Sequence, residues 1–343
     1  MKAVQLVSQG VPGEFQYGEV PDPRPASDEV VVRVRACGLN HLDLWVEEPS
    51  GLPVDLQLPR IPGCEIAGEV AELGEDVDQW RIGDKVAVQS NLFCGACEYC
   101  RSGEEANCLN ARLIGVECDG GFAELVRVPA RCLVSIPDGV SFESSAALTL
   151  AGSTAMHMLT DRVEVRPDDW VLAIGAASGV GSAAIQIAKQ KGARVITTGS
   201  TEEKRQFGLG LGADYAVDST DENWPKEIRS LTEKRGVNLV VEHVGADVLE
   251  KVFHCLARGG TVVTCGATAG RNVSFEVWPF FVKQHRLIGS YGRNHSAVTA
   301  TLQWAAEGRL RPLVHKVLPL EKTEEAYQLL RARNVLGKVL VKP

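Results

Sequence analysis

The sequence lacks several features, and each absence removes a class of function. Its most apolar stretch, Val171 to Ala188, is interrupted by glycine, serine and glutamine. That stretch reads as a strand, a loop and a helix, so no membrane span is expected. Positive charge is not in excess: 36 Lys and Arg against 44 Asp and Glu leave a net charge of −8, which gives no basic footprint for nucleic acid or anionic lipid. The first ten residues contain no apolar core of the kind that directs secretion, and a cytoplasmic protein is expected. No internal repeat or low-complexity segment is evident. What remains is an ordinary globular composition, 45% hydrophobic and 23% charged in 343 residues, long enough for about two domains at ~150 residues each.

One residue type is abundant. Ten cysteines in a chain without an export signal point to metal or catalytic chemistry before disulfides. Four of them follow the spacing Cys94-x2-Cys97-x2-Cys100-x7-Cys108, among Gly95, Gly103 and polar residues. A loop so poor in apolar side chains needs an internal organiser, and four thiolates around one tetrahedral Zn²⁺ supply it. With no open coordination position the site is structural, and one such zinc per chain is expected. A ferredoxin run would place its last cysteine after three residues and follow it with proline; here the gap is seven and Leu109 follows.

Two rhythms divide the chain. Up to about residue 140, short alternating runs such as 30–35, 84–88 and 123–128 are separated by Gly and Pro, as in a β-rich, barrel-like domain. From Val171 strands and helices alternate: strands at 171–174, 194–198, 215–217, 239–242 and 261–265, and helices at 181–191, 202–211, 226–232 and 248–256. That order predicts a doubly wound parallel sheet with helices on both faces, an α/β Rossmann architecture. Two further helices, near 299–307 and 323–333, and a final strand at 338–341 complete the chain.

Gly175-Ala176-Ala177-Ser178-Gly179-Val180-Gly181 lies between the first parallel strand and its helix. Small residues there let backbone approach a pyrophosphate, and the helix N-terminus offers free N–H groups; a tight turn without a ligand is the plainer alternative. An NAD site places Asp or Glu at the end of the second strand, to hold the ribose 2′-hydroxyl. Thr198-Gly199-Ser200 stands there instead, with Lys204 and Arg205 one turn later. Ser200 and Lys204 suit a 2′-phosphate, so NADP(H) is favoured over NAD(H), unless these side chains are only a solvated helix face.

With the lobe and the turn in hand, the sequence resembles the medium-chain dehydrogenase/reductase superfamily along essentially its whole length. The cysteine spacing is similar to the structural zinc lobe of zinc-containing alcohol dehydrogenases. Gly63-Cys64-Glu65 resembles that family's Gly-His-Glu, and Gly83-Asp84-Lys85-Val86 its Gly-Asp-x-Val turn. The resemblance implies a GroES-like catalytic domain over residues 1–152 with its zinc lobe at about 91–110, a Rossmann NAD(P)-binding domain over 153–291, and a return to the catalytic domain over 292–343, with a cleft between the two. It implies hydride transfer to or from a nicotinamide, and a homodimer or homotetramer. It also places Gly266, Ser290 and Lys338 at the cofactor, Lys338 on a phosphate.

A catalytic zinc in this family takes three protein ligands. Cys37 matches the first, Cys64 stands at the second, and the third position is Leu150, which cannot bind a metal. A weak second site of Cys37, Cys64 and Glu65 remains conceivable, against two small buried thiols as the alternative. Asn40-His41-Leu42-Asp43 resembles the Asn-x-x-Asp of the quinone-oxidoreductase branch, whose reaction centre is metal-free. Asn40 is then expected to line the reacting carbonyl and Asp43 to orient it, unless both simply cap a turn. The expected activity is NAD(P)H-dependent reduction of quinones or α,β-unsaturated carbonyls. The alternatives are a zinc alcohol dehydrogenase acting on primary or secondary alcohols, and a non-catalytic NADPH-binding sensor.

Overall fold

The computed structural model describes all 343 residues, which divide into two compact units. The first comprises Met1–Ser153, Gly292–Glu307 and Pro312–Pro343; the second comprises Thr154–Tyr291 and Gly308–Arg311. No helix is long and apolar enough to cross a membrane.

The first unit is built on β1 (Glu29–Gly38), β2 (Glu65–Leu73), β3 (Lys85–Val88), β4 (Leu125–Pro129) and β5 (Leu133–Ser135), with a short helix α1 (His41–Glu47) after β1. In β1 the valines Val30, Val32 and Val34 enter the main core, where Ile66, Val86, Val126 and Phe122 meet them, while Arg33 and Arg35 face out. That alternation is what a strand with one buried face requires. The chain turns directly from β1 into α1, whose N-cap is Asn40.

The second unit alternates as the sequence predicts: β6 (Trp170–Ala173), α2 (Gly179–Gln190), β7 (Arg194–Gly199), α3 (Glu202–Gly210), β8 (Tyr215–Asp218), α4 (Trp224–Leu231), β9 (Val237–Glu242), α5 (Ala246–Val252), β10 (Leu256–Thr264), α6 (Val277–Val282) and β11 (Arg286–Gly289). The strands form one parallel sheet in the order β8-β7-β6-β9-β10-β11. The chain reverses direction across the sheet between β6 and β9, which in such sheets is where a nucleotide lies against the carboxyl ends of the strands. The rhythm did not announce α6 and β11, whose aromatic and apolar residues carry no polar alternation.

The return segment adds α7 (His295–Ala306), β12 (Val314–Pro319), α8 (Thr323–Arg331) and β13 (Lys338–Lys342) to the first unit. Its sheet then runs β12-β13-β1-β2-β3-β5, with β4 also paired to β1. The entry to α7 is tied to the cysteine lobe. Ala106 donates its N–H to Asn294 Oδ1 and His295 its N–H to Glu105, both at 3.1 Å. Arg293 donates to Ser90 Oγ and Asn91 Oδ1, both at 2.7 Å.

Candidate active site

The four lobe cysteines bring their sulfur atoms within 4.8 Å of one another. Cys97 and Cys100 Sγ lie 3.4 Å apart, Cys94 and Cys100 Sγ 3.9 Å. Tetrahedral zinc with Zn–S bonds of about 2.3 Å holds thiolates about 3.8 Å apart, so the set fits the ion. The N–H groups of Ala96 and Cys97 point at Cys94 Sγ and lower its pKa to about 6, which favours the thiolate that binds metal.

The other candidate site lies where three strands meet. Gly38 of β1 pairs antiparallel with Glu65 of β2 on one side and Leu340 of β13 on the other. That register sets Lys338 opposite Asn40, just beyond the end of β1. Glu65 is 0% exposed and its carboxylate is fully engaged. Oε1 accepts the N–H groups of Leu150 at 2.7 Å and Ala151 at 3.0 Å. Oε2 accepts from Lys338 Nζ at 2.7 Å and from Asn40 Nδ2 at 3.1 Å. Lys338 Nζ, on a side chain from a residue 5% exposed, also donates to Leu39 O and Asn40 Oδ1, both at 2.6 Å. Asn40 closes the first turn of α1 through its N–H, donated to Asp43 at 2.7 Å. Asp43 is buried, and desolvation pushes its pKa up to about 7 against the pull of the Asn40 N–H and the Lys338 charge.

Two expectations meet this arrangement. Lys338, expected on a cofactor phosphate, donates here to three acceptors of the first unit. Cys37 and Cys64, named with Glu65 as a weak second metal site, are buried, and desolvation raises the pKa of both thiols. Leu150 at the third position offers only its backbone N–H, and Glu65 accepts from four donors.

At the nucleotide turn the residues fit a dinucleotide. Gly175 has φ +73°, and its N–H is donated to Thr198 Oγ1 at 3.0 Å. Ser178 is the N-cap of α2, accepting from the Gly181 N–H at 2.9 Å and donating to Gly175 O at 2.8 Å. A Cβ on Gly181 would sit 2.2 Å from Gly175 O, so glycine alone lets α2 pack this tightly against the turn. Gly179 and Val180 open the helix. His243 Nε2 lies 3.0 Å from both Ser178 Oγ and Ile174 O, and burial lowers its pKa; the imidazole stays neutral and steadies the turn. Sequence spacing gave no signal for it, because the 65 residues between His243 and Ser178 are bridged only by the sheet. Beyond β7, Lys204 Nζ donates to Ser200 Oγ at 3.3 Å, whereas Arg205 is committed to Glu202 and Asp218 at 2.9 and 2.8 Å. Gly266 and Ser290 follow the carboxyl ends of β10 and β11. Ser290 is 7% exposed, with its hydroxyl unpartnered, as expected of a group that completes its hydrogen bonding with a bound ligand.

Comparison with known proteins agrees with this construction. Residues 26–138 match the alcohol dehydrogenase GroES-like domain family and residues 179–307 the zinc-binding dehydrogenase family. Acryloyl-coenzyme A reductase of Sulfurisphaera tokodaii is 31% identical over 344 residues, with both chains fully covered. An alcohol dehydrogenase of Geobacillus stearothermophilus is 33% identical, with 96% of each chain covered. The crystal structure of an NAD-dependent alcohol dehydrogenase superposes with a TM-score of 0.93 at 38% identity, over the full length of both chains. A GroES-like unit, a parallel nucleotide-binding sheet and a four-cysteine lobe thus occur here in the family's order, and the chain belongs to the zinc-binding alcohol dehydrogenase group of the medium-chain dehydrogenase/reductase superfamily, as an NAD(P)-dependent oxidoreductase.

Proposed function

We propose that the protein is an NADPH-dependent reductase of α,β-unsaturated carbonyl compounds, coenzyme A thioesters included, whose reaction centre holds no catalytic metal. Quinones, which also conjugate an electron-poor carbon to a carbonyl, belong to the same acceptor class. The observation that carries this reading is Leu150: it stands at the third ligand position and offers only its backbone N–H, donated to Glu65, where an alcohol dehydrogenase needs a metal-binding side chain. The similarity to a protein named acryloyl-coenzyme A reductase supports the thioester.

When bound, the reduced nicotinamide supplies a hydride for the β-carbon, and charge then collects on the carbonyl oxygen before the α-carbon takes a proton from water. Stabilising that oxygen is the chain's task. Asn40 is the side chain assigned to line it, with Asp43 fixing the turn that carries Asn40. Gly179 and Val180 hold the pyrophosphate through backbone N–H groups, with Gly175, Ser178 and Gly181 shaping the turn that presents them, Ser200 and Lys204 hold the 2′-phosphate, and the Ser290 hydroxyl takes a polar group of the cofactor. Four cysteines hold the structural zinc, and a reducing cytoplasm suits ten cysteines of which none forms a disulfide.

Purified protein should contain one zinc per chain and oxidise NADPH with enoyl thioesters, enals or quinones. Two zincs per chain together with alcohol oxidation would replace this reading by that of a zinc alcohol dehydrogenase; silence across the panel leaves the sensor. Lys204→Ala should reduce the preference for NADPH over NADH by about tenfold, the size of one lost charged hydrogen bond; an unchanged ratio removes the 2′-phosphate assignment.

The partner in solution is proposed to be a second copy. Helix α6 has no buried residue, with Trp278 72% and Phe281 53% exposed, and β11 is the free edge of its sheet. With Val277, Val282, Leu287 and Tyr291 the apolar surface is on the order of 700 Å², close to the ~800 Å² each partner contributes to a stable interface. Light scattering of Trp278→Glu should show monomer where the parent is a dimer or tetramer, and an unchanged mass would move the interface elsewhere.

A further inference from the structure

We propose that Lys338 is a positioning residue of the reaction centre: an internal ammonium, paired with Glu65, that sets the direction of the Asn40 amide. The inference rests on the metal-free reductase reading above.

An ammonium group has three hydrogens and no acceptor. Leu39 O, Asn40 Oδ1 and Glu65 Oε2 lie 2.6, 2.6 and 2.7 Å from Lys338 Nζ, so the hydrogens are all accounted for. The consequence falls on Asn40. A side-chain amide can in principle turn over and exchange its oxygen and nitrogen, but only the oxygen can face an ammonium. Nδ2 is thereby turned to the other side, where Glu65 Oε2 lies at 3.1 Å, Gly38 O at 3.3 Å and Cys64 Sγ at 4.0 Å. The 3.3 and 4.0 Å contacts are weak, and an N–H so loosely held can be redirected to a substrate oxygen at little loss.

The arrangement is rigid because each member is held by a different segment. Lys338 starts the final strand, Glu65 starts β2, and Leu150 and Ala151 clamp the opposite carboxylate oxygen. Asn40 therefore presents Nδ2 in one direction, and a donor already aimed at developing negative charge needs no reorganisation when that charge appears. Neutralising Glu65 would by itself be a structural role, so the test must separate the two.

The test uses Lys338→Met, Lys338→Arg, Asn40→Ala, the Asn40→Ala/Lys338→Met double variant and Lys338→Met/Glu65→Gln. The last avoids leaving a buried carboxylate without its counter-ion, should Lys338→Met fail to fold. Binding of NADPH, followed by fluorescence, should stay within about twofold in Lys338→Met/Glu65→Gln, while kcat with an enoyl thioester falls by about 50-fold or more. Recovery of kcat on removing both charges would show that Lys338 serves only Glu65, and a tenfold loss of NADPH affinity would return it to a cofactor phosphate; either overturns the proposal. Lys338→Arg should recover at least about fivefold over Lys338→Met, and Lys338→Met should cost little once Asn40 is alanine. Independent, multiplying effects at the two positions overturn it. If the parent enzyme reduces no acceptor, the reductase reading fails. The Lys338 proposal is then judged in the apoprotein, where the melting-temperature losses of Asn40→Ala and Lys338→Met should be less than additive in the double variant; full additivity overturns it.

Discussion

Cys94, Cys97, Cys100 and Cys108 lie on a polar loop within fifteen residues of one another, whereas Cys37 and Cys64 lie on β1 and just before β2, inside an apolar core. The loop has nothing else to fold around, and its backbone N–H groups point at sulfur. The core pair has Ile66 and Phe122 as neighbours and packs as two small hydrophobes. What separates them is the competition around the ligands more than the ligands themselves. In the lobe the thiols meet one another. In the core the carboxylate that could have joined them is saturated by a lysine, an asparagine and two backbone N–H groups.

Four substitutions press on this contrast, from the largest effect to the smallest. Cys100→Ser should abolish zinc binding and lower the melting temperature by at least about 10 °C, since structural zinc sites supply folding free energy directly. Metal analysis and calorimetry read it, and a zinc-free protein of unchanged stability would make the lobe a bystander. Asp43→Asn tests the core side through pH. With a folded pKa of about 7 against 3.8 unfolded, Asp43 binds its proton more tightly in the folded state. Its contribution is therefore best below pH 4, declines as the pH rises to about 7 and is constant above. The whole change is on the order of 4 kcal/mol. Lys338 opposes and Glu65 reinforces the shift. Stability measured from pH 5 to 8 should decline less in Asp43→Asn than in the parent; parallel curves would place the titration elsewhere. Cys64→Ala should cost about 1 kcal/mol as a small core cavity while zinc stays at one per chain; a lost zinc would restore the second metal site. Leu150→His should change the zinc content least of all, leaving one per chain, because Cys37 and Cys64 stay packed among apolar neighbours. A second equivalent would show that the missing ligand alone emptied the site.

The lobe and the nucleotide turn were legible in the sequence because each is local: four cysteines in fifteen residues, seven small residues between a strand and a helix. The alternation of the second unit was legible for the same reason, apart from α6 and β11. Lys338, Glu65 and Asn40 were not legible as a group. Lys338 and Asn40 are 298 residues apart and meet only because Leu340 pairs with Gly38, a register that side-chain alternation in the final strand does not specify. Spacing placed Asp43 beside Asn40, but not the burial that raises its pKa, which comes from the core around it.

The lysine that neutralises Glu65 is made long after it. Roughly 270 residues separate the two, and at about 5–20 residues per second the carboxylate waits about 15–50 seconds for its counter-ion. The second unit, whose strands run almost without interruption, can complete its sheet during that interval. The first cannot bury Glu65 at the cost it bears in the finished protein until Lys338 arrives. On the ribosome the order of maturation is therefore the reverse of the order of synthesis: the unit begun first is finished last.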